Sequence, residues 1–90
     1  MSEAMLDQGT FWWPAGLPGQ EKVRVVFNTA LQVRPTNVTC EDYETRKPLD
    51  IENVDIEQSG TRDWARYTAA TLRLARSAQG RSFRWRAWGA

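Results

Sequence analysis

Histidine is absent from the 90 residues, and with it goes the commonest general base and metal ligand of neutral-pH chemistry. Cysteine occurs once, at Cys40, so no internal disulfide can form and nothing ties the chain to an oxidising compartment. No stretch approaches the ~20 apolar residues needed to cross a bilayer. Met1 to Gln8 is acidic and lacks the basic start and apolar run of a signal peptide. A cytoplasmic protein without a membrane role is therefore expected. The triplet Asn37-Val38-Thr39 matches a glycosylation sequon, but without a secretion signal it reads as an ordinary strand entry.

The same scarcity runs through the groups that do chemistry. Cys40 has no imidazole to activate it, and beside Val38 it reads as a small buried hydrophobe. Ser59, Ser77 and Ser82 have no partner base, and Lys22, which begins a strand, and Lys47, which precedes Pro48, do not read as desolvated. Gly16 and Gly19 are too loosely placed for a phosphate loop. Asp50, Glu52, Asp55 and Glu57 could pair as carboxylates or bind a hard cation, but their run lacks the glycine of a calcium loop. It alternates as a strand does, so a solvated acidic face is the simpler reading. No enzyme, no cofactor and no metal site are expected.

What the chain does carry is tryptophan, arginine and a lopsided charge. Five tryptophans (Trp12, Trp13, Trp64, Trp85, Trp88) bring a large apolar payload to a small core. The net charge of +1 conceals five bases against ten acids in residues 1–60, and seven arginines against Asp63 alone in residues 61–90. Ninety residues with 41% apolar and 26% charged side chains make one globular domain.

Residues 1–10 read as a flexible arm before a single domain over 11–90. Phe11-Trp12-Trp13-Pro14 leads into a turn-rich segment. From Lys22 to Arg34 the alternation is that of one long strand, or of two joined near Asn28-Thr29-Ala30, ended by Pro35. Val38 and Cys40 begin a short strand toward Tyr43. Leu49 and Ile51, then Val54 and Ile56, alternate with acids, and the phase slips at Asn53, as at a bulge or tight turn.

Residues 62–78 read as an amphipathic helix. Thr61 is placed as N-cap, Asp63 in the first turn, and Gly80 as the terminating glycine. At ~100° per residue, Trp64 leads the apolar face and the arginines fall opposite. A competing reading puts Leu72-Arg73-Leu74 in a strand of a terminal hairpin. Arg81 to Trp88 is a strand with Phe83, Trp85 and Ala87 on one face and Ser82, Arg84, Arg86 and Trp88 on the other. The expected fold is α+β, an antiparallel sheet of three to four strands with one amphipathic helix packed on it; a small all-β barrel or sandwich is the alternative.

The functional expectation is a non-enzymatic protein-binding module: an adaptor, an assembly subunit, or an inhibitor of a larger complex, of the kind phages and mobile elements encode. Arginine and tryptophan are the residues most enriched at interface hot spots. Arg66, Arg73, Arg76, Arg84, Arg86 and Trp88 form one candidate surface, and Trp12 and Trp13 a second. Acidic and basic patches on one body also allow self-association as a homo-oligomer. The rival is a DNA- or RNA-binding protein using the same arginines. A stacking platform needs rings and cations on one exposed surface, whereas alternation sends Phe83 and Trp85 away from Arg84 and Arg86.

Overall fold

The computed structural model describes residues 3–13, 22–74 and 80–89. They form seven strands: β1 (Ala4–Trp13), β2 (Lys22–Leu31), β3 (Asn37–Asp42), β4 (Pro48–Leu49), β5 (Ile51–Ser59), β6 (Arg66–Leu74) and β7 (Arg81–Gly89), with one 3-10 turn at Arg62–Trp64. All pairings are antiparallel. One sheet has the order β1-β7-β3-β4 and the other β2-β6-β5. The two pack face to face around a core of Trp13, Val25, Phe27, Leu72, Phe83 and Trp85, among others.

The α+β expectation is overturned, because no α-helix is present among the described residues. Arg66–Leu74 is the central strand of the smaller sheet, bonded to β2 on one side and β5 on the other. Residues 75–78 of the expected helix lie outside the described residues. The physical reason is tertiary. Helix preference for alanine and arginine amounts to a few tenths of a kcal/mol per residue. Two amphipathic strands, β2 and β5, each need a partner, and a strand between them closes both ladders while burying Ala70, Leu72 and Leu74. Nor is there a terminal hairpin, since β6 and β7 belong to different sheets.

Three other expectations change with it. Thr61 makes no side-chain cap bond. Trp64, placed at the centre of the apolar face, is 81% exposed on the 3-10 turn. The N-terminal arm is a strand from Ala4, in register with β7 from Ala4↔Gly89 to Trp13↔Arg81.

Elsewhere alternation carries through. Val25, Phe27 and Leu31 of β2 are buried, as are Val38 and Cys40 of β3 and Phe83, Trp85 and Ala87 of β7. The phase slip at Asn53 is a register shift between Ile51 and Asn53. A larger break separates Val26 from Leu31, where β2 leaves β6. There Asn28 turns to the other sheet: its backbone N–H and its amide both donate to the Asp7 carboxylate, at 2.7 and 2.8 Å, and the amide also reaches the Gln8 carbonyl. This latch joins the edges of the two sheets.

Candidate functional site

β7 lies between β1 and β3, so its outward residues stand in rows with theirs. The register aligns Trp12 with Ser82, Thr10 with Arg84 and Glu41, Gln8 with Arg86 and Thr39, and Met5 with Trp88 and Asn37. Tyr43 continues the first row, because its N–H donates to the Ser82 carbonyl at 3.0 Å. Trp12 and Tyr43 thus flank the small Ser82, two inter-strand spacings or ~10 Å apart at their backbones. Both rings are open to solvent, at 61% and 52%. Shallow recesses open on either side of Tyr43, one lined by Thr10, Phe11, Trp12 and Ser82, the other by Glu41, Asp42, Arg46 and Arg84.

The cations of β7 are held differently. Arg86 donates to the Glu41 carboxylate. Arg81, at the foot of the same strand, meets Asp42 at 2.5 Å. Asp42 also accepts the N–H groups of Glu44 and Thr45, shaping the turn in which Arg46 takes a left-handed φ of 60°. The Thr45 N–H above all, then Glu44 and Arg81, holds the Asp42 carboxyl below its usual range, against the opposing effect of burial. Arg84 has no carboxylate partner among the described residues. Its guanidinium lies over the Tyr43 ring, 5.3 Å from the centroid. Trp88 is anchored by its indole N–H on the Thr39 hydroxyl at 2.8 Å.

Arg84, Arg86 and Trp88 therefore share one face, and Trp12 joins them there. The other candidates fall elsewhere. Trp13 points inward and is 1% exposed, with its indole nitrogen unpartnered among the described residues. Arg66 belongs to the other sheet and donates to the Asp63 and Ala65 carbonyls beside the 3-10 turn. Arg73, also on the other sheet, faces Glu52 at 3.5 Å. Arg76 lies outside the described residues.

Tyr43 and Glu41 are members of the face that sequence reasoning missed. Tyr43 extends the outward alternation of Thr39 and Glu41, which was legible. That it faces Trp12 across Ser82 follows only from the strand order.

Much of the charge asymmetry is consumed inside the fold. Of four ion pairs between described residues, Arg73–Glu52, Arg81–Asp42 and Arg86–Glu41 join an acid of the first sixty residues to an arginine of the last thirty. The fourth is bidentate, Arg24 on Glu57 at 2.5 and 3.1 Å. The hydrogen bond from Arg24 lowers the Glu57 pKa. Arg24 and Glu57 stand on strands flanking β6, so their bond spans it above Ala69, which has no exposed surface.

Cys40 is buried in the core, and burial pushes its thiol up to about 12, so the thiolate is not populated at neutral pH. Among the described residues no three metal-ligating side chains converge, and no helix is long and apolar enough to cross a membrane. No protein-family model matches this chain, and neither does any curated protein or solved structure.

Proposed function

We propose that this chain is a protein-binding module whose contact face is the outer surface of the β1-β7-β3-β4 sheet, centred on Trp12, Tyr43 and Arg84. One observation carries the reading: two exposed aromatic rings and a guanidinium with no carboxylate partner among the described residues lie together in adjacent rows of one sheet. Aromatic rings supply contact area at low entropic cost, and an arginine held on a ring is preorganised for a carboxylate. Arg86 and Trp88 extend the face, each already tied to β3. Adaptor, assembly and inhibitor roles all use such a face.

A second reading has its own support. Trp12, Tyr43 and Trp88 share the surface of Arg84 and Arg86, which is the juxtaposition that stacking of nucleic-acid bases requires. The cations weigh against it. Arg86 is committed to Glu41, and a polyphosphate would meet that carboxylate while gaining few free cations.

The test is comparative capture. Immobilised wild type, Trp12→Ala, Arg84→Glu and the opposite-face variant Arg24→Ala are exposed to extract of the source cell, and retained proteins are identified by mass spectrometry. The proposal expects proteins held by wild type and Arg24→Ala to be lost from both face variants. Equal retention on all four removes this face from the reading. Tight retention of generic single-stranded nucleic acid that falls steeply with salt transfers the face to the second reading.

A further inference from the structure

Every open sheet offers unpaired backbone groups at its edges, and natural sheets protect them with charge, proline or brevity. Three of the four edges here are protected in those ways. β4 is two residues long and begins with Pro48. β5 carries Glu52, Asp55 and Glu57, so two such edges would repel each other. β2 carries Lys22 and Arg24 and is broken after Val26. The remaining edge, β1, has no charge from Gly9 to Trp13.

Which backbone groups of β1 are free follows from the ladder. In an antiparallel pair, residues alternate between bonding their neighbour and facing away. The Tyr43 N–H bonds the Ser82 carbonyl, so Ser82, Arg84, Arg86 and Trp88 turn their backbone groups toward β3. Phe83, Trp85 and Ala87 then bond β1 through Phe11, Gly9 and Asp7. Gln8, Thr10 and Trp12 are left facing outward. Gln8 corroborates this directly: its N–H donates to the Asp7 carboxylate at 2.9 Å and its carbonyl accepts the Asn28 amide at 2.8 Å. The latch closes that half of the edge. Among the described residues nothing bonds Thr10 and Trp12 in this way, and both are exposed.

We infer that two copies of this chain join through these edges, β1 against β1, antiparallel about a twofold axis at Phe11. Thr10 of each copy pairs with Trp12 of the other, which uses both N–H groups and both carbonyls on each side in four hydrogen bonds. Phe11 of one copy then faces Phe11 of the other in a non-bonded pair, where side chains approach most closely, ~4.5 Å between Cα atoms. Aromatic cross-strand pairs are among the stabilising ones. Phe11 is half-buried against Phe83, with ring centroids 5.6 Å apart, and is therefore preset to receive its equivalent. On the outer surface each Trp12 lies beside the second copy's Thr10.

The pairing cannot slide or lengthen. One step further would match Gln8, whose groups are already bonded, with Pro14, which has no N–H to give. The contact is self-complementary and closed, so it yields a dimer rather than a filament. The two four-stranded sheets become one of eight strands, with their outer surfaces continuous. The argument is independent of what that surface binds.

Sedimentation equilibrium across a concentration series tests it on the intact chain, together with amide exchange. The expected mass at high concentration is twice the 10.3 kDa of one chain. The Thr10 and Trp12 amides should exchange at least about tenfold more slowly in concentrated than in dilute samples. Thr10→Pro removes an outward N–H that no bond among the described residues uses, a position where edge strands accept proline. It should give a folded monomer, and Trp12→Lys, which places charge on the edge, should do the same if the proline variant fails to fold. Arg84→Glu should leave the dimer intact, whatever it does to partner capture. A monomer at every concentration, a mass growing beyond two copies, or a dimer indifferent to the folded edge variant overturns the inference.

Discussion

Adjacent residues of a strand point to opposite faces, and at Trp12 and Trp13 that alternation separates an indole 61% exposed from one 1% exposed. The two substitutions should read out differently. Trp12 contributes to surface contact, whereas Trp13 fills the end of the core at the expense of a buried N–H without a described partner. Trp13→Ala should lose about 3–5 kcal/mol through the cavity it opens. Trp13→Phe should lose much less, about 1–2 kcal/mol, because deleting an unsatisfied donor offsets part of the lost packing. Urea unfolding of both variants checks the difference, and equal losses would mean the indole nitrogen is satisfied in solution. Gly9 illustrates the same dependence on a neighbour: a Cβ there would come within 2.7–2.8 Å of the Trp85 indole, which lies across it.

The elements are built from two pairings between strands adjacent in sequence, β3 with β4 and β5 with β6, and from long-range ones that join β1 and β3 to β7 and β2 to β6. β2 follows β6 only as far as Val26, then bulges, and Asn28 exchanges a ladder partner for the Asp7 carboxylate of the other sheet. β1 shifts register at the same level, between Met5 and Asp7. The three hydrogen bonds of the latch thus tie the two sheets' edges together on this side. Asp7→Ala should raise amide exchange at Asn28 and its neighbours and cost about 1–2 kcal/mol, a typical loss for bonds to a carboxylate. Exchange unchanged at Asn28 would mean the distal half of β2 is held by packing alone.

Across the whole molecule, ion pairs link the acidic early strands to the arginine-rich late ones, and this makes stability dependent on pH in a definite direction. The folded-state pKa values of Asp42 and Glu57 are lowered by their backbone and guanidinium donors. Such groups stabilise the fold in full above their unfolded values, about 3.9 and 4.3, and the contribution is lost as pH falls through the lower folded ones. Melting temperature should therefore be flat near neutrality and drop below about pH 4. Asp42→Asn should lower it at neutral pH and flatten the acid limb, measured by thermal scans from pH 7 to pH 2. An unchanged acid limb would remove Asp42 from the account.

Much of this molecule was readable residue by residue. The alternation of β2, β3, β5 and β7, the slip beside Asn53, and the inward turn of Phe83 and Trp85 all follow from the two-residue repeat of extended backbone, which is a local property. The state of Arg66–Leu74 was not, because alanine, leucine and arginine accept either conformation at nearly equal cost and the choice fell to the two strands that flank it. The assembly of Trp12, Tyr43 and Arg84 into one face, and the exposure of the β1 edge, were not readable either. Those depend on which strand lies beside which, a matter settled by long-range pairing between segments that carry no mark of their partners.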